Sequence, residues 1–368
     1  MRNYFVSAGV AIINYQFFTV KRGEDEMSLD TVISEVNKKY KSKILNEGVV
    51  FTATPRIPFS SPRLNYMTYG GLPVGRLVEF SGEEGGGKTT TALDVVKNAQ
   101  KLYPDKKAVY VDIERTFDPE WATKLGVDVS KLVLLTPDEQ TAEQIFEITK
   151  DVVDTGEASL CVLDSLGAMV SAQAYAKTIE DRTFGGISMA LTLFSKEMIP
   201  ICARTGCMLI GINQVRDDMN SSYGGVTTTG GRAWRHNCSV RVSFTKSDYI
   251  DDKGVSVSRS VENPSGHLVK VALTKSKVCK LDRKVGFYTL KYLDGIDHVS
   301  DIIDLAIKYS LISVAGAWYS IINPETGELY KQDDKDLKFQ GKAKLHEFLT
   351  NDKNWLNTIN GAINQQIL

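Results

Sequence analysis

The sequence predicts an α/β fold built on a mostly parallel central sheet. Five short apolar runs lack a polar face and are separated by longer amphipathic stretches; the runs are residues 77–80, 108–111, 132–135, 160–163 and 208–212. Such runs are typical of strands that crossover helices cover on both faces. Three later segments, residues 238–245, 268–274 and 285–292, alternate between apolar and polar side chains. We expect them to extend the sheet with antiparallel strands.

The composition indicates one large globular domain with small appendages. The 368 residues are 42% hydrophobic and 24% charged, which suffices for a sizeable core. Lysine and arginine total 44 against 45 aspartate and glutamate, so a nucleic-acid surface has to come from local clustering of cations. The five cysteines are an odd number without a CxxC pair. They favour buried thiols in a reducing, cytoplasmic compartment over a disulfide framework or a zinc site.

The first 27 residues are interpreted as an extension ahead of the fold. The apolar stretch 4–20 is similar to a signal peptide, but Asn14 and Gln16 interrupt it and no small-residue cleavage site follows. We therefore expect neither secretion nor a membrane partner, with Met27 as the natural initiator.

A detachable arm is predicted over residues 28–66. Ser28 is a capping residue, and the apolar side chains that follow it fall on one helix face; they are Leu29, Val32, Ile33, Val36 and Tyr40. Pro55, Pro58 and Pro62 exclude a continuing helix and predict an extended linker over residues 49–63. One short amphipathic helix has to bury its apolar stripe against another surface.

Two further parts follow the arm. Residues 67–296 are predicted to form the core, and residues 297–368 a small α+β C-terminal domain. We expect that domain to contain a helix at 302–309, a hairpin through 323–327 and further helices to Leu368.

A phosphate-binding loop follows the first apolar run. The match to GxxxxGK[ST] between a strand and a helix consists of Gly82, Glu83, Glu84, Gly85, Gly86, Gly87, Lys88 and Thr89, and Thr90 completes the ATP-binding set. Glycines let backbone N–H groups turn around phosphate oxygens, Lys88 neutralises phosphate charge, and Thr89 ligates Mg²⁺. The motif therefore predicts that the chain binds ATP with Mg²⁺.

Two carboxylates end other predicted strands at the same edge of the sheet. Asp164 follows the run 160–163 and is expected to hold Mg²⁺, although an aspartate there can also cap the next helix. Glu114 follows the run 108–111, where it can activate water for attack on the γ-phosphate or be an ordinary strand-end charge. The residues alone leave both alternatives open for Glu114.

Five further segments resemble those of bacterial-type RecA recombinases, in the same order. They are residues 70–76 (GGLPVGR), 118–128 (DPEWA leading to KLGVD), 212–216 (INQVR), 227–231 (TTTGG) and 315–319 (AGAWY). The resemblance covers about residues 28–341. It implies a RecA-like P-loop ATPase core, and it implies that residues 28–66 are an oligomerisation arm that docks on the adjacent protomer.

The resemblance also implies roles for individual residues. Glu114 matches the catalytic glutamate, and Asp118 and Trp121 match positions that contact adenine. Gln214 matches the residue that senses the γ-phosphate and starts the second DNA-binding loop. A lysine pair matches residues that reach across a subunit boundary to the neighbour's ATP, although a solvated strand face is the alternative. The implied catalytic set is Glu114, Lys88, Gln214, Lys275 and Lys277.

Two loops would contact DNA by this analogy, over residues 175–186 and 216–231. The second is rich in Gly, Ser and Thr, so we expect it to be mobile until a strand orders it. The implied DNA-binding residues are Arg216, Tyr223, Gly224, Thr227, Thr228, Thr229, Gly230, Gly231 and Arg232. Two departures weaken the match here: Met189 stands where the family has an arginine, and the second loop is one residue shorter.

The sequence therefore predicts an ATP-dependent recombinase. Its subunits would form a helical filament on single-stranded DNA, pair it with double-stranded DNA and hydrolyse ATP. The alternatives are a RecA-fold DNA motor or regulatory ATPase, such as a ring helicase, and a nucleotide-gated scaffold without strand exchange. A helicase is expected to carry a distinct amino-terminal domain, for which there is no room. The shortened loop, Arg115 after the glutamate and a C-terminus without an acidic tail favour a divergent member, such as one encoded by a phage or plasmid.

Overall fold

The structure is a computed structural model that describes residues 28–41, 45, 54–176, 187–217, 226–252, 256–258, 261–323, 326–332 and 335–367. The predicted extension, residues 1–27, lies outside these residues. The chain divides into two compact units, Met1–Ala53 and Thr54–Leu368. The further division at residues 66 and 296 stays a prediction.

In the first unit, the predicted amphipathic helix is present as α1 (Leu29–Lys39). Ser28 caps it, because its Oγ accepts a hydrogen bond from the Thr31 backbone N at 3.2 Å. Within the described residues, no side chain of α1 is buried, and Leu29 is 72% exposed.

In its described residues, the second unit contains ten further α-helices and eighteen strands. The helices are α2 (Pro62–Thr68), α3 (Lys88–Leu102), α4 (Pro119–Lys124), α5 (Ala142–Asp154), α6 (Ala172–Tyr175), α7 (Ser188–Thr205), α8 (Gly231–Asn237), α9 (His298–Lys308), α10 (Lys342–Asn351) and α11 (Lys353–Ile367). The strands are β1 (Arg56–Ile57), β2 (Leu72–Pro73), β3 (Leu77–Gly82), β4 (Lys107–Asp112), β5 (Leu132–Leu135), β6 (Ala158–Asp164), β7 (Met208–Asp217), β8 (Val226–Thr228), β9 (Val240–Ile250), β10 (Ser256–Val257), β11 (Gly266–Ser276), β12 (Val285–Lys291), β13 (Gly295–Ile296), β14 (Ile312–Ala315), β15 (Trp318–Ile321), β16 (Lys331–Gln332), β17 (Lys335–Asp336) and β18 (Lys338–Gln340).

The predicted central sheet is confirmed, in the strand order β13-β12-β11-β9-β3-β7-β6-β4-β5. Every pair from β9 to β5 is parallel. Strands β11, β12 and β13 extend the sheet with antiparallel pairs. The segment 238–245 differs from the expectation of a purely antiparallel strand, because β9 pairs parallel with β3 and antiparallel with β11. It joins the two parts of the sheet.

Hydrophobic cores lie on both faces of the parallel strands β3, β4, β6 and β7. The expectation of burial on both faces is wrong for the edge strand β5, where Val133 and Leu134 are exposed. Val78 and Phe80 of β3 belong to the cluster that includes α3, whereas Leu77 belongs to the cluster with α5 and α7. This double burial explains why the run is apolar on both faces except at Glu79, which is buried as well. Because parallel strands end at one edge, the loops after β3, β4 and β6 meet there.

The predicted linker ends earlier than expected, since α2 begins at Pro62. Proline is favoured in the first turn of a helix because its missing N–H is not needed there. Ser61 caps the helix by accepting from the Leu64 backbone N at 3.3 Å. Leu64 and Met67 are buried in the core, so this stretch packs within the second unit.

The C-terminal segment surrounds its own hydrophobic cluster, which includes Ile303, Leu345 and Ile363. Strands β14, β15 and β18 form a three-stranded antiparallel sheet beside α9, α10 and α11. The helix predicted at 302–309 starts earlier, at His298, because Asp297 caps it. At the hairpin predicted at 323–327, the Asn323 N donates to the Glu328 O at 2.8 Å, while residues 324–325 lie outside the described residues.

Asp301 joins this segment to α2 and gives the fold a pH dependence that can be tested. The side chain is buried, Ser61 Oγ donates to its carboxylate, and burial raises its pKa to about 8. Because this folded pKa lies above the unfolded one, the group contributes most stability below about pH 4 and loses it as the pH rises through 8. Between the unfolded and the folded pKa, the free energy of unfolding falls by about 1.4 kcal/mol per pH unit.

Asp301→Asn is expected to remove this slope, because an amide cannot ionise yet still accepts from Ser61. Urea unfolding between pH 5 and 9 measures the slope. The free energy of unfolding of the variant should increase relative to that of the wild type as the pH rises. Asp304→Asn, a more exposed carboxylate beside Arg63 and Lys342, is the control. If the free energies of unfolding of Asp301→Asn and the wild type change in parallel with pH, Asp301 is already ionised in the folded state at pH 5 and its pKa is not raised.

Two further features of the described chain concern membrane spans and cysteine thiols. Within the described ranges, no helix combines the length and apolar character that a membrane span needs. Cys161, Cys202, Cys207 and Cys238 are buried as expected, and burial raises the pKa of the Cys202 thiol to about 12.

Candidate active site

The P-loop, residues 82–89, turns tightly between the end of β3 and the start of α3. Gly82 has φ 155° and Gly87 has φ 89°, conformations that favour glycine. A Cβ at Gly82 would overlap the Phe244 carbonyl oxygen, and one at Gly87 would lie 2.7 Å from Tyr288 Oη. The missing side chains therefore let the loop backbone pack closely against β9 and β12.

Lys88 folds back over this loop. Its side chain is buried, and Nζ donates to the carbonyls of Gly82 at 2.9 Å and Glu83 at 2.6 Å. Burial lowers its pKa. The ammonium is therefore held among the loop residues that the sequence assigns to phosphate, with two carbonyl contacts that a phosphate can replace.

The residues predicted to hold Mg²⁺ lie together beside the loop. Thr89 Oγ1, in the first turn of α3, donates to Asp164 Oδ2 at 2.9 Å, at the carboxyl end of β6. Hydroxyl and carboxylate oxygens are the ligands that Mg²⁺ prefers. The donor set at this edge of the sheet therefore fits a Mg²⁺ ion bound with a nucleotide.

Tyr110 is a member of this group that the sequence did not single out. Its side chain is buried, and its hydroxyl donates to Asp164 Oδ2 at 2.6 Å. Burial raises the pKa of Asp164, and the hydrogen bonds from Tyr110 and Thr89 oppose that rise. The available signal was a tyrosine within an apolar run, because a buried Tyr hydroxyl usually has a partner.

Glu114 meets two side chains from other strands. Ser165 Oγ, directly after β6, donates to Glu114 Oε1, and Gln214 Nε2 of β7 donates to the same oxygen at 3.3 Å. Glu114 and Gln214 are both exposed to solvent. The structure thus brings together the predicted base and the predicted γ-phosphate sensor, next to Asp164; their roles stay predictions.

The loop that carries Glu114 is anchored by Asp112. Its carboxylate accepts from the backbone N of Thr116 at 3.1 Å and of Phe117 at 2.9 Å. Further along, Asp118 caps α4 by accepting from the backbone N of Trp121 at 3.0 Å. Asp118 therefore has a structural task in this fold, and the adenine contact of Asp118 and Trp121 stays a prediction.

Glu114→Gln is expected to slow ATP hydrolysis about 100-fold or more, because the amide keeps the size of the side chain but cannot accept a proton. Nucleotide affinity should remain close to that of the wild type. Steady-state turnover and binding of a fluorescent ATP analogue measure the two effects. Glu120→Gln, which changes an exposed carboxylate on α4, is the control. A parallel loss of binding and turnover would mean that Glu114 has a structural role.

The second loop, residues 216–231, is more structured at its ends than expected. Strand β7 continues to Asp217 and pairs antiparallel with β8, so Arg216 lies opposite Thr227 and Val215 opposite Thr228. Helix α8 then begins at Gly231 and contains Arg232. Thr229 and Gly230 form the short connection, while Tyr223 and Gly224 lie outside the described residues. Arg216 and Arg232 are exposed.

The lysine pair lies away from the P-loop of its own chain. Lys275 pairs with Arg241 on β9, three residues before Phe244, which pairs with Gly82. A strand rises about 3.3 Å per residue, so the separation along the sheet is roughly 10 Å. Lys275 Nζ donates to the His236 carbonyl at 2.7 Å and Lys277 Nζ to the same carbonyl at 2.8 Å. Both ammonium groups therefore contact the C-terminal end of α8.

The sheet, the glycine loop at its carboxyl edge and the adjoining Thr89–Asp164 pair define a P-loop protein. Residues 28–297 match the family model described as the RecA N-terminal domain. The chain belongs to the RecA family.

Curated relatives match over most of both chains. The Protein RecA of Chloroherpeton thalassium is 30% identical over 351 residues, covering 94% of this chain and 91% of the relative. That of Paracoccus denitrificans is 31% identical, covering 84% and 85%, and that of Salinispora arenicola is 32% identical, covering 88% and 87%. A crystal structure of the RadB recombinase has 22% identity and a TM-score of 0.47, covering 64% of this chain and 95% of that one.

Proposed function

We propose that this protein is an ATP-dependent recombinase that forms filaments on single-stranded DNA and catalyses homologous pairing and strand exchange. Family membership supports a recombinase with DNA-dependent ATPase activity. The observation that carries the finer proposal is the continuity of β7. This strand bears Gln214 in contact with Glu114 and then forms the base of the second loop.

The residues around the P-loop would each have a separate role in ATP hydrolysis. Lys88 exchanges its two carbonyl contacts for the β- and γ-phosphates, and Thr89 and Asp164 hold Mg²⁺. Bound there, Mg²⁺ supplies positive charge that neutralises the phosphate oxygens. Glu114 accepts the proton of the attacking water, with Ser165 orienting its carboxylate. Gln214 responds to the γ-phosphate, while Asp118 and Trp121 contact the adenine.

Lys275 and Lys277 would complete the site of a neighbouring subunit. The strand register that separates them from their own P-loop is expected for groups that act in trans. In an open, heterologous assembly one surface of each protomer meets a different surface of the next, so each nucleotide would lie between two chains. We assign the part of the arm that precedes Thr54, including α1, to the same contact, because residues 54–66 pack within the second unit.

The second loop would bind DNA without sequence preference. Arg216 and Arg232 provide exposed cations near its base, and Thr227 provides a hydroxyl donor for phosphate. Tyr223 offers an aromatic face on which a base can stack. A local group of cations is consistent with a chain of net charge −1, because only the surface that contacts DNA needs to be positive.

Electron microscopy of the full chain with single-stranded DNA and a slowly hydrolysed ATP analogue tests the proposal. We expect open helical filaments that require both ligands. Closed rings would instead indicate a helicase-like motor. Strand exchange between a circular single strand and a homologous linear duplex separates a recombinase from a scaffold, since a scaffold would form filaments without joint molecules.

A further inference from the structure

A charged residue lies in the middle of a strand that is buried on both faces. Glu79 of β3 is 0% exposed, between Val78 and Phe80 of the hydrophobic core. A buried carboxylate is costly unless several donors satisfy it. Glu79 has no part in the proposed chemistry, yet its strand leads into the P-loop and pairs with β7, which bears Gln214.

Three donors from three different elements meet on this carboxylate. Asn213 Nδ2 of β7 donates to Oε1 at 3.0 Å, and Trp234 Nε1 of α8 donates to the same oxygen at 3.1 Å. Arg241 of β9 donates through Nε to Oε2 as an ion pair. One side chain therefore fixes the relative positions of β3, β7, β9 and α8.

The same donors also hold the base of the second loop. Asn213 Nδ2 donates to the Thr229 carbonyl at 2.8 Å, and Arg241 Nη2 lies 3.5 Å from Thr228 Oγ1. Asn213 directly precedes Gln214, whose amide contacts Glu114. The path from the second loop to the γ-phosphate sensor thus passes through Asn213, which is anchored on Glu79, to the adjacent Gln214.

The packing around these contacts leaves little room for independent movement. Trp234 is fully buried, and a Cβ at Gly211 of β7 would lie within 3.0 Å of its indole ring. Displacement of α8 by DNA therefore has to displace β7 as well. Among the described residues, the buried Asn213 Oδ1 has no hydrogen-bond partner, so it can accept a donor from a rearranged second loop.

We propose that Glu79 is a positioning residue that couples the conformation of the second loop to Gln214. This inference rests on the proposed function. DNA bound at the second loop moves the Thr229 carbonyl and α8, the shared carboxylate transmits that movement to Asn213, and Gln214 shifts relative to Glu114. Conversely, a γ-phosphate that holds Gln214 stabilises the loop arrangement that binds DNA, because coupling between two binding sites is reciprocal.

Two variants test the coupling. Trp234→Phe removes one donor and keeps an aromatic side chain in place. The double variant Glu79→Gln, Arg241→Gln replaces the ion pair with two neutral, polar side chains. The matched controls are Trp355→Phe, a tryptophan packed on Tyr330 in the C-terminal segment, and Asp94→Asn with Lys97→Gln, a buried ion pair on α3.

The measured quantity is the ratio of Kd values for a fluorescein-labelled oligothymidylate without and with a slowly hydrolysed ATP analogue. We expect both test variants to lower this ratio about tenfold, while turnover without DNA and nucleotide affinity stay near the wild-type values. The control variants should keep the wild-type ratio. If the double variant does not fold, Trp234→Phe alone decides the question.

The outcomes separate this inference from the function on which it rests. A wild-type ratio in Trp234→Phe overturns the assignment of Glu79, and so does an equal loss in the control variants. A wild-type chain that fails to bind the oligonucleotide overturns the proposed function itself, and the coupling with it.

Discussion

Lys88→Ala is expected to lower ATP turnover by roughly 100-fold or more, because it removes a fixed positive charge from the site where phosphate charge develops. The loss of turnover should be larger than that caused by removing an exposed cation, because the Lys88 ammonium is buried and therefore poorly screened by water. The variant also removes the two hydrogen bonds to Gly82 and Glu83 that brace the P-loop. Phosphate release under saturating ATP, with and without single-stranded DNA, measures the loss.

Lys101→Ala is the control, because Lys101 is an exposed lysine on the same helix, α3. It changes the charge of the chain by the same amount and leaves the P-loop intact. The control should hydrolyse ATP at the wild-type rate. Undiminished hydrolysis by Lys88→Ala would contradict the assignment of the P-loop as the ATP site.

Replacing both Lys275 and Lys277 with alanine is expected to lower DNA-stimulated hydrolysis about 1000-fold, the lower range for a cation supplied in trans. Nucleotide binding to the isolated protomer should remain nearly unchanged, because the pair lies away from its own P-loop. In the protomer the lysines cap α8 through the carbonyls of Arg235 and His236. Circular dichroism and thermal melting therefore have to show that the variant is folded.

Mixing this double variant with Glu114→Gln subunits distinguishes action in trans from action in cis. A junction can then form in which an intact Glu114 of one variant faces intact lysines of the other. We expect the mixture to hydrolyse ATP faster than either variant alone. If both variants assemble together on DNA and the mixture stays inactive, the lysines serve their own subunit or none.

The partners of buried polar groups could not be predicted from the sequence. Tyr110 and Glu79 both occur in apolar runs, and the runs indicated only that these residues would be buried. The partners of Glu79, which are Asn213, Trp234 and Arg241, lie 134 to 162 residues further along the chain. No local pattern specifies such a contact, because it depends on which strands become neighbours and in which register.

The sequence by itself determined the mostly parallel sheet, the P-loop and the edge at which Asp164 and Glu114 lie. Each of these follows from a local pattern, since strand burial, glycine conformation and the carboxyl end of a strand are properties of short segments. Only the tertiary structure decided that β9 joins the parallel and antiparallel strands, that Ser165 and Gln214 meet on Glu114, and that the lysine pair lies away from its own P-loop. Those arrangements arise from pairing between distant strands, in which a side chain's position depends on the register of its neighbours.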